Sequence, residues 1–184
     1  GTGATTASLK GGLGSASLVL DNGTVVGALA AVNPVGSVTT EGEKHFYAAP
    51  YEIDTEFGGL GPDLASGLGR AISSVKSHSL SEQANTTIAI VATDAALDKA
   101  QCQRIAVAAH DGIARAIVPA HTPADGDLVF ALSTGTKPVS DALTELSMIG
   151  HAASLCLARA IARAVFEATP ADGDMLPCWS QKNS

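Results

Sequence analysis

Two stretches of this chain, 25–32 and 87–93, are apolar at almost every position instead of alternating. A strand with one wet face alternates apolar and polar residues. A continuous apolar run predicts a strand covered on both faces. Long helical patterns follow the second stretch, so helices must layer on a sheet. The chain is therefore of the α/β (α+β) class, and its 184 residues suffice for one domain with a real core.

The segments fall into order around these strands. Residues 15–20 and 24–32 predict a hairpin, because Asp21-Asn22-Gly23 accepts positive φ at the turn. The Gly-rich opening, including Lys10-Gly11-Gly12-Leu13-Gly14-Ser15, reads as a tight turn allowing close backbone approach. It lacks the order of a phosphate-binding loop, and a strand follows it instead of a helix. Residues 34–84 are an irregular excursion that concentrates aromatic residues in Phe46-Tyr47 and around Tyr51 and Phe57. Such long loops are functional, interfacial or disordered, and exposed aromatic residues here would fit a subunit contact. A short helix is expected over 64–76.

Asp94 or Asp98 can cap a helix running to about Val118, with Ile105, Ala109, Ile113 and Ile117 on one face. Asp125-Gly126-Asp127 leads into a strand over 128–133. Ser140 or Asp141 then caps a long Ala-rich helix reaching about Glu167, apolar around much of its girth and closed by Pro170. The tail from Ala171 is expected to be loose.

Composition narrows the partners. The chain is 46% hydrophobic but 4% aromatic, so Ala, Val, Leu and Ile must build the core. A net charge of −7 argues against nucleic acid or an anionic membrane surface. Cys102, Cys156 and Cys178 are widely spaced, which fits free thiols in a reducing, cytoplasmic setting. No apolar run is expected to cross a membrane. The start, Gly1-Thr2-Gly3-Ala4, has no Met, so the chain is expected to begin inside a longer protein.

The chemistry candidates centre on Asn85-Thr86. A polar, aperiodic stretch, 77–84, ends there, and a core strand begins. Cleavage before Thr86 would free an α-amine beside its own hydroxyl, placing nucleophile and base in one residue. An ordinary loop-to-strand junction reads the same way. Asp125 and Asp127 flank a Gly, so alternate carboxylates could point the same way at one sheet end; a plain turn is the alternative. Asn33 ends a buried strand before Pro34 and is either a strand-end cap or an oxyanion donor. His45, His78, His110, His121 and His151 show no metal-ligand spacing, and no G-x-S-x-G elbow is present. No cofactor is indicated.

Taken together, these segments resemble the L-aminopeptidase/D-esterase (DmpA-like) family of N-terminal-nucleophile hydrolases, nearest its nylon-oligomer (6-aminohexanoate-oligomer) hydrolase branch. The resemblance rests on Gly1-Thr2-Gly3-Ala4 with 9–17, Val25-Val26-Gly27-Ala28-Leu29 leading to Asn33, and Ala48-Ala49-Pro50. It continues through 85–94, 108–117, His121-Thr122-Pro123, Asp125-Gly126-Asp127 and 130–135.

The resemblance implies a four-layer αββα sandwich and a precursor that cuts itself between Asn85 and Thr86. Residues 1–85 would end the α-subunit, with a processing linker at about 66–85, and 86–184 would be the β-subunit. Thr86 would be the nucleophile, Asn33 the oxyanion donor, and Asp125 and Asp127 the pair that orients nucleophile and amine. Lys10 would match a lysine near the active site of the nylon-hydrolase branch. The implied substrate is a small peptide or an amide oligomer. The implied partners are the protein's own N-terminal segment, the cleaved subunits and further copies in a tetramer or larger assembly. A relative that keeps the fold as a non-catalytic structural or binding subunit is the alternative.

Overall fold

A computed structural model of the chain describes residues 3–65 and 85–183. Four strands form one sheet in chain order: β1 (Gly12–Val19), β2 (Val25–Asn33), β3 (Thr86–Ala95) and β4 (Leu128–Lys137). β1–β2 and β2–β3 are antiparallel, and β3–β4 is parallel. The parallel pair needs a crossover, which α1 (Lys99–Ala116) supplies. α2 (Ala142–Phe166) follows β4, and the short α3 (Trp179–Asn183) ends the chain.

Local chemistry accounts for these boundaries. Gly23, at φ 78°, turns the β1–β2 hairpin, closed by Leu20 N–H donating to Thr24 O at 2.8 Å. Asp98 caps α1 through a reciprocal box with Gln101, whereas Asp94 lies inside β3. Asp141 caps α2 by accepting from Thr144 N–H. Ile105, Ala109, Ile113 and Ile117 are all buried, as their spacing predicts.

The Gly-rich opening departs from expectation. Residues 12–14 are strand, not turn. A Cβ on Gly14 would lie 2.1 Å from the Ala160 carbonyl of α2. Close approach is thus the reason for glycine here, but between strand and helix.

Both helices pack on one face of the sheet. Val26, Ala28, Ala30 and Val32 of β2, with Ala89 and Val91 of β3, are buried beneath them. α2 is long and apolar enough by composition to cross a membrane, contrary to the expectation that no run qualifies. Its apolar window is 78% buried within the fold, as in a core helix. Burial is uneven, for Leu143 in its first turn is 82% exposed.

The opposite face is open. Leu29 in β2, Ile88 and Ile90 in β3, and Phe130 and Leu132 in β4 are exposed. The register places them side by side, Leu29 opposite Ile90 and Ile90 opposite Phe130. The continuous apolar runs of β2 and β3 therefore do not mean coverage on both faces within the described residues. Among the described residues, one helical layer covers one face only.

The excursion and the tail also correct expectation. Phe46 and Phe57 are buried and join Phe166 and Trp179 in an internal aromatic cluster, with ring centroids 4.9–6.2 Å apart. These two aromatic residues therefore offer no exposed interface. Arg159 of α2 anchors the same segment, bonding Glu56 Oε2 at 2.9 Å and the Ser17 carbonyl at 2.9 Å. The tail is tied down: Cys178 is fully buried, and Pro177 O accepts from Lys10 N–H at 2.8 Å. The three cysteines are free thiols. The expected helix over 64–76 falls almost wholly, and His78 wholly, outside the described residues.

Candidate active site

Four of the five candidate residues converge at one end of the sheet. Thr86 is the first residue of β3, and its register partner in β2 is Asn33. Both are half-buried and lie on the open face, in line with Ile88 and Ala31. Asp125-Gly126-Asp127 runs alongside on the approach to β4, with Asp125 bridged to Asn85 in parallel.

The carbonyl between Asn85 and Thr86 is held twice. Thr86 Oγ1 donates to Asn85 O at 2.5 Å, and Gly126 N–H donates to the same oxygen at 2.9 Å. A Cβ on Gly126 would stand 3.0 Å from Thr86 Oγ1. Glycine therefore keeps the space over the hydroxyl clear while its N–H reaches the carbonyl.

The two carboxylates brace the backbone on either side of this pair. Asp125 Oδ1 accepts from Val35 N–H at 2.9 Å, two residues past Asn33. Its Oδ2 accepts from the Thr122 hydroxyl at 2.6 Å and the Thr122 N–H at 3.2 Å. Asp127 Oδ1 accepts from Thr87 N–H at 3.0 Å, directly after Thr86. Its Oδ2 takes the backbone N–H of His121 at 3.2 Å and the ring Nδ1 of His121 at 2.8 Å. The Asp127 side chain is 4% exposed, so these donors replace the water that an ionised carboxylate requires. Asn33 Oδ1 accepts from Thr5 N–H at 3.0 Å, which orients the side-chain amide.

Lys10 is not brought to this group. Its ammonium lies between Asp174 Oδ1 at 2.7 Å and Thr169 O at 2.9 Å, beyond the C-terminal end of α2. A groove of about 510 Å³ lies there, lined by Lys10, Gly12, Ala164, Glu167 and Asp174 among others. Thr86, Asn33, Asp125 and Asp127 do not line it.

The sequence drew no attention to His110, His121, Thr122 or Gly126 as parts of one site. His110 of α1 lies against His121, with ring centroids 5.4 Å apart. Burial pushes its pKa down, and His121 pushes it down further, against the opposing pull of Asp127 and Asp111. The signal available was spacing: His121 and Thr122 stand just ahead of the Asp-Gly-Asp triplet, within reach of a folded loop. Among the described residues, no group of three His, Cys, Asp or Glu is placed to hold a metal ion.

Comparison with known proteins adds a family to this geometry. The model of peptidase family S58 matches residues 1–176. An uncharacterized aminopeptidase of Mycobacterium tuberculosis is 41% identical over 186 residues, covering 92% of this chain and 53% of that protein. A second, from Mycobacterium leprae, is 39% identical, covering 94% and 49%. The chain thus spans about half the length of the curated relatives it matches.

Among solved structures, the L-aminopeptidase D-Ala-esterase/amidase of Ochrobactrum anthropi superposes with a TM-score of 0.63 at 24% identity. That match covers 96% of this chain and 46% of the other, and the protein is described as a variant of the Ntn hydrolase fold. A β-aminopeptidase from Burkholderia sp. gives a TM-score of 0.53 at 26% identity, covering 89% and 44%. The fold of this chain is accordingly that of the Ntn hydrolase aminopeptidases.

Proposed function

The chain belongs to peptidase family S58, and on that premise we propose that it carries the nucleophile of a self-processing amide hydrolase. Thr86, released by cleavage of Asn85–Thr86, is that nucleophile. The observation that carries this reading is the double hold on the Asn85 carbonyl, by Thr86 Oγ1 at 2.5 Å and Gly126 N–H at 2.9 Å. The hydroxyl stands beside the carbonyl it would attack, and the Gly126 N–H polarises that carbonyl oxygen, which supports an N-to-O acyl shift.

Thr86 Oγ attacks the Asn85 carbonyl carbon. The C–N bond breaks, and the proton of the hydroxyl ends on the departing nitrogen. The resulting ester is hydrolysed by water, leaving an Asn85 carboxylate and a free Thr86 amine. That amine, with an unperturbed pKa of about 7.7–8.0, then takes the hydroxyl proton during attack on substrate. An acyl-Thr86 ester forms, the leaving amine takes the proton, and water completes the cycle.

Asp125 and Asp127 hold the backbone that presents the amine, and Asn33 supplies its amide N–H to the oxyanion. Lys10 has no step in this scheme, because its ammonium is engaged by Asp174 and Thr169.

The division of the chain follows. Residues 1–85 end the α-subunit, 86–184 form the β-subunit, and the processing linker, about 66–85, lies almost entirely outside the described residues. The substrate class is an amide with an accessible end. Names borne by the relatives support it: aminopeptidases in the mycobacteria and a β-aminopeptidase in Burkholderia. Cleavage of amide oligomers, as in the nylon-hydrolase branch, is the finer proposal, supported by threonine at the nucleophile position. Assembly into tetramers or larger rings, and a cytoplasmic location, belong to the same proposal.

Intact mass under denaturing conditions tests it, on the full-length gene product beside Thr86→Ala. Two fragments meeting at Asn85/Thr86 are expected in the parent and one uncut chain in the variant. A Thr86→Ala protein that is cut and active would sink the mechanism. Asn33→Ala should process or turn over on the order of 10²–10³-fold more slowly, the cost of one oxyanion donor.

A further inference from the structure

His121 lies in the loop between α1 and β4, with φ at 54°. A non-glycine residue in the left-handed region is uncommon and persists only where its surroundings hold it. Asp127 is what holds it. The backbone N–H and the ring Nδ1 of His121 both meet Asp127 Oδ2, at 3.2 and 2.8 Å. An ionised carboxylate only accepts, so Nδ1 carries a proton here. With Oδ2 fixed twice, Oδ1 is aimed at the Thr87 N–H, 3.0 Å away.

The His121 side chain is 40% exposed, so the ring needs a second restraint. His110 from α1 lies against it, 5.4 Å between centroids and tilted by 52°. Among the described residues, the titratable groups that meet this pair of rings include Asp127, which His121 bonds, and Asp111, which acts on His110 from α1. The chain of contact runs from α1 through two imidazoles to a carboxylate and then to the residue after Thr86. None of these side chains other than Asp127 was given a role by the reaction scheme.

We propose that His121 is a positioning residue of the Thr86 site: its Nδ1–H sets the orientation of the Asp127 carboxylate, which in turn sets the register of Thr87 and Thr86. The inference rests on the reading of Thr86 as nucleophile. A carboxylate turns about a broad torsion, so a second donor on one oxygen is what makes its other oxygen a fixed point. Loss of the ring leaves the backbone donor on Oδ2 but lets the carboxylate turn.

Two substitutions separate the donor from the backbone conformation. His121→Gly accepts positive φ and lacks the ring. His121→Asn also tolerates the left-handed region and places an amide N–H where Nδ1 stood. Both are made in the full-length gene product, with Thr86→Ala alongside, and the rate of cleavage at Asn85/Thr86 is followed by intact mass. His121→Gly should slow cleavage on the order of 10- to 100-fold, and His121→Asn should stay within about threefold of the parent, as expected for a small misplacement of reacting groups.

A His121→Gly protein cut at the parental rate overturns the proposal, and so does a His121→Asn protein as slow as His121→Gly. If His121→Gly does not fold, the Asn variant decides alone: folded and fast supports the donor role, folded and slow overturns it. Cleavage of Thr86→Ala at the parental rate would instead remove the nucleophile reading on which the proposal stands. An uncut Thr86→Ala beside an unaffected His121→Gly removes only the role of His121.

Discussion

The two faces of the sheet are built from different residues: one is packed under helices and the other is exposed among the described residues. The face under the helices takes small or β-branched side chains: Gly12, Gly14 and Ala16 in β1, and Val26, Ala28, Ala30 and Val32 in β2. Gly12 and Gly14 meet Ala164 and Ala160 of α2 almost backbone to backbone. The other face carries most of the large ones, from Ile90 at 36% exposed to Val19 at 65%. Small residues buy close packing of helix on strand, where dispersion contacts are dense. Large residues need a partner layer of their own, and the described residues contain none for that face. Thr86 and Asn33 sit at the rim of the large-residue face, whereas the carboxylates that brace them draw support from α1 and its loop. The site therefore joins the two faces at one end.

The comparison breaks most readily at the helix-covered face. Gly14→Val should cost about 3 kcal/mol or more, because the new side chain meets the Ala160 carbonyl and the backbone must part. Urea unfolding measures it, and a loss below 1 kcal/mol would mean that strand and helix yield more easily than close packing allows.

Next comes the ion pair that clamps α2 to the excursion. Glu56→Gln leaves the Arg159 guanidinium, 7% exposed, without its charge partner. It should cost about 2 kcal/mol, a buried-pair value discounted for the partial exposure of Glu56. The pair also has a pH signature. Burial alone would raise the Glu56 carboxyl, but hydrogen bonds from Arg159 and the Ile53 backbone, with the charges of Arg159 and Arg163, hold it below 4.5. A depressed carboxyl contributes stability above its unfolded value and loses it as pH falls through the folded one. Acid unfolding of the parent should therefore show a component below pH 4.5 that Glu56→Gln lacks. Identical acid profiles would remove the pair from the stability account.

The open face should respond least. Ile90→Ser with Phe130→Ser should change stability by no more than about 0.5 kcal/mol, since neither side chain leaves a packed site. The same pair should lower binding of a hydrophobic dye, because it interrupts a contiguous apolar patch. A stability loss of about 2 kcal/mol or more would show that the face is covered in solution.

Much of the fold was legible because its signals are local. The Asn22-Gly23 turn, the Asp98 and Asp141 caps and the fourfold spacing of Ile105, Ala109, Ile113 and Ile117 each act within a few residues. What the local signals misplaced were features set by distant partners. Residues 12–14 became strand because α2 packs on them, and the tail became ordered because Trp179 found Phe46 and Phe166. The apolar run of β2 was legible as strand, but an apolar run cannot say which face receives a helix.

The site divides along the same line. The candidates Asn33, Thr86, Asp125 and Asp127 could be named from residue type and position, and from resemblance to a family. Their order along the chain does not bring them together: the β2–β3–β4 register does, setting Thr86 beside Asn33 and Asp125 beside Asn85. Tertiary structure alone placed Gly126 N–H on the Asn85 carbonyl, His121 on Asp127, and Lys10 with Asp174. Hydrogen bonds and ion pairs act over about 3 Å, and chain separation says nothing about distances of that size until the sheet has closed its register. By itself the sequence marked the main strands and helices, though not the strand start at residues 12–14 or the ordered tail, and the residues that could do chemistry. The fold decided which of them meet.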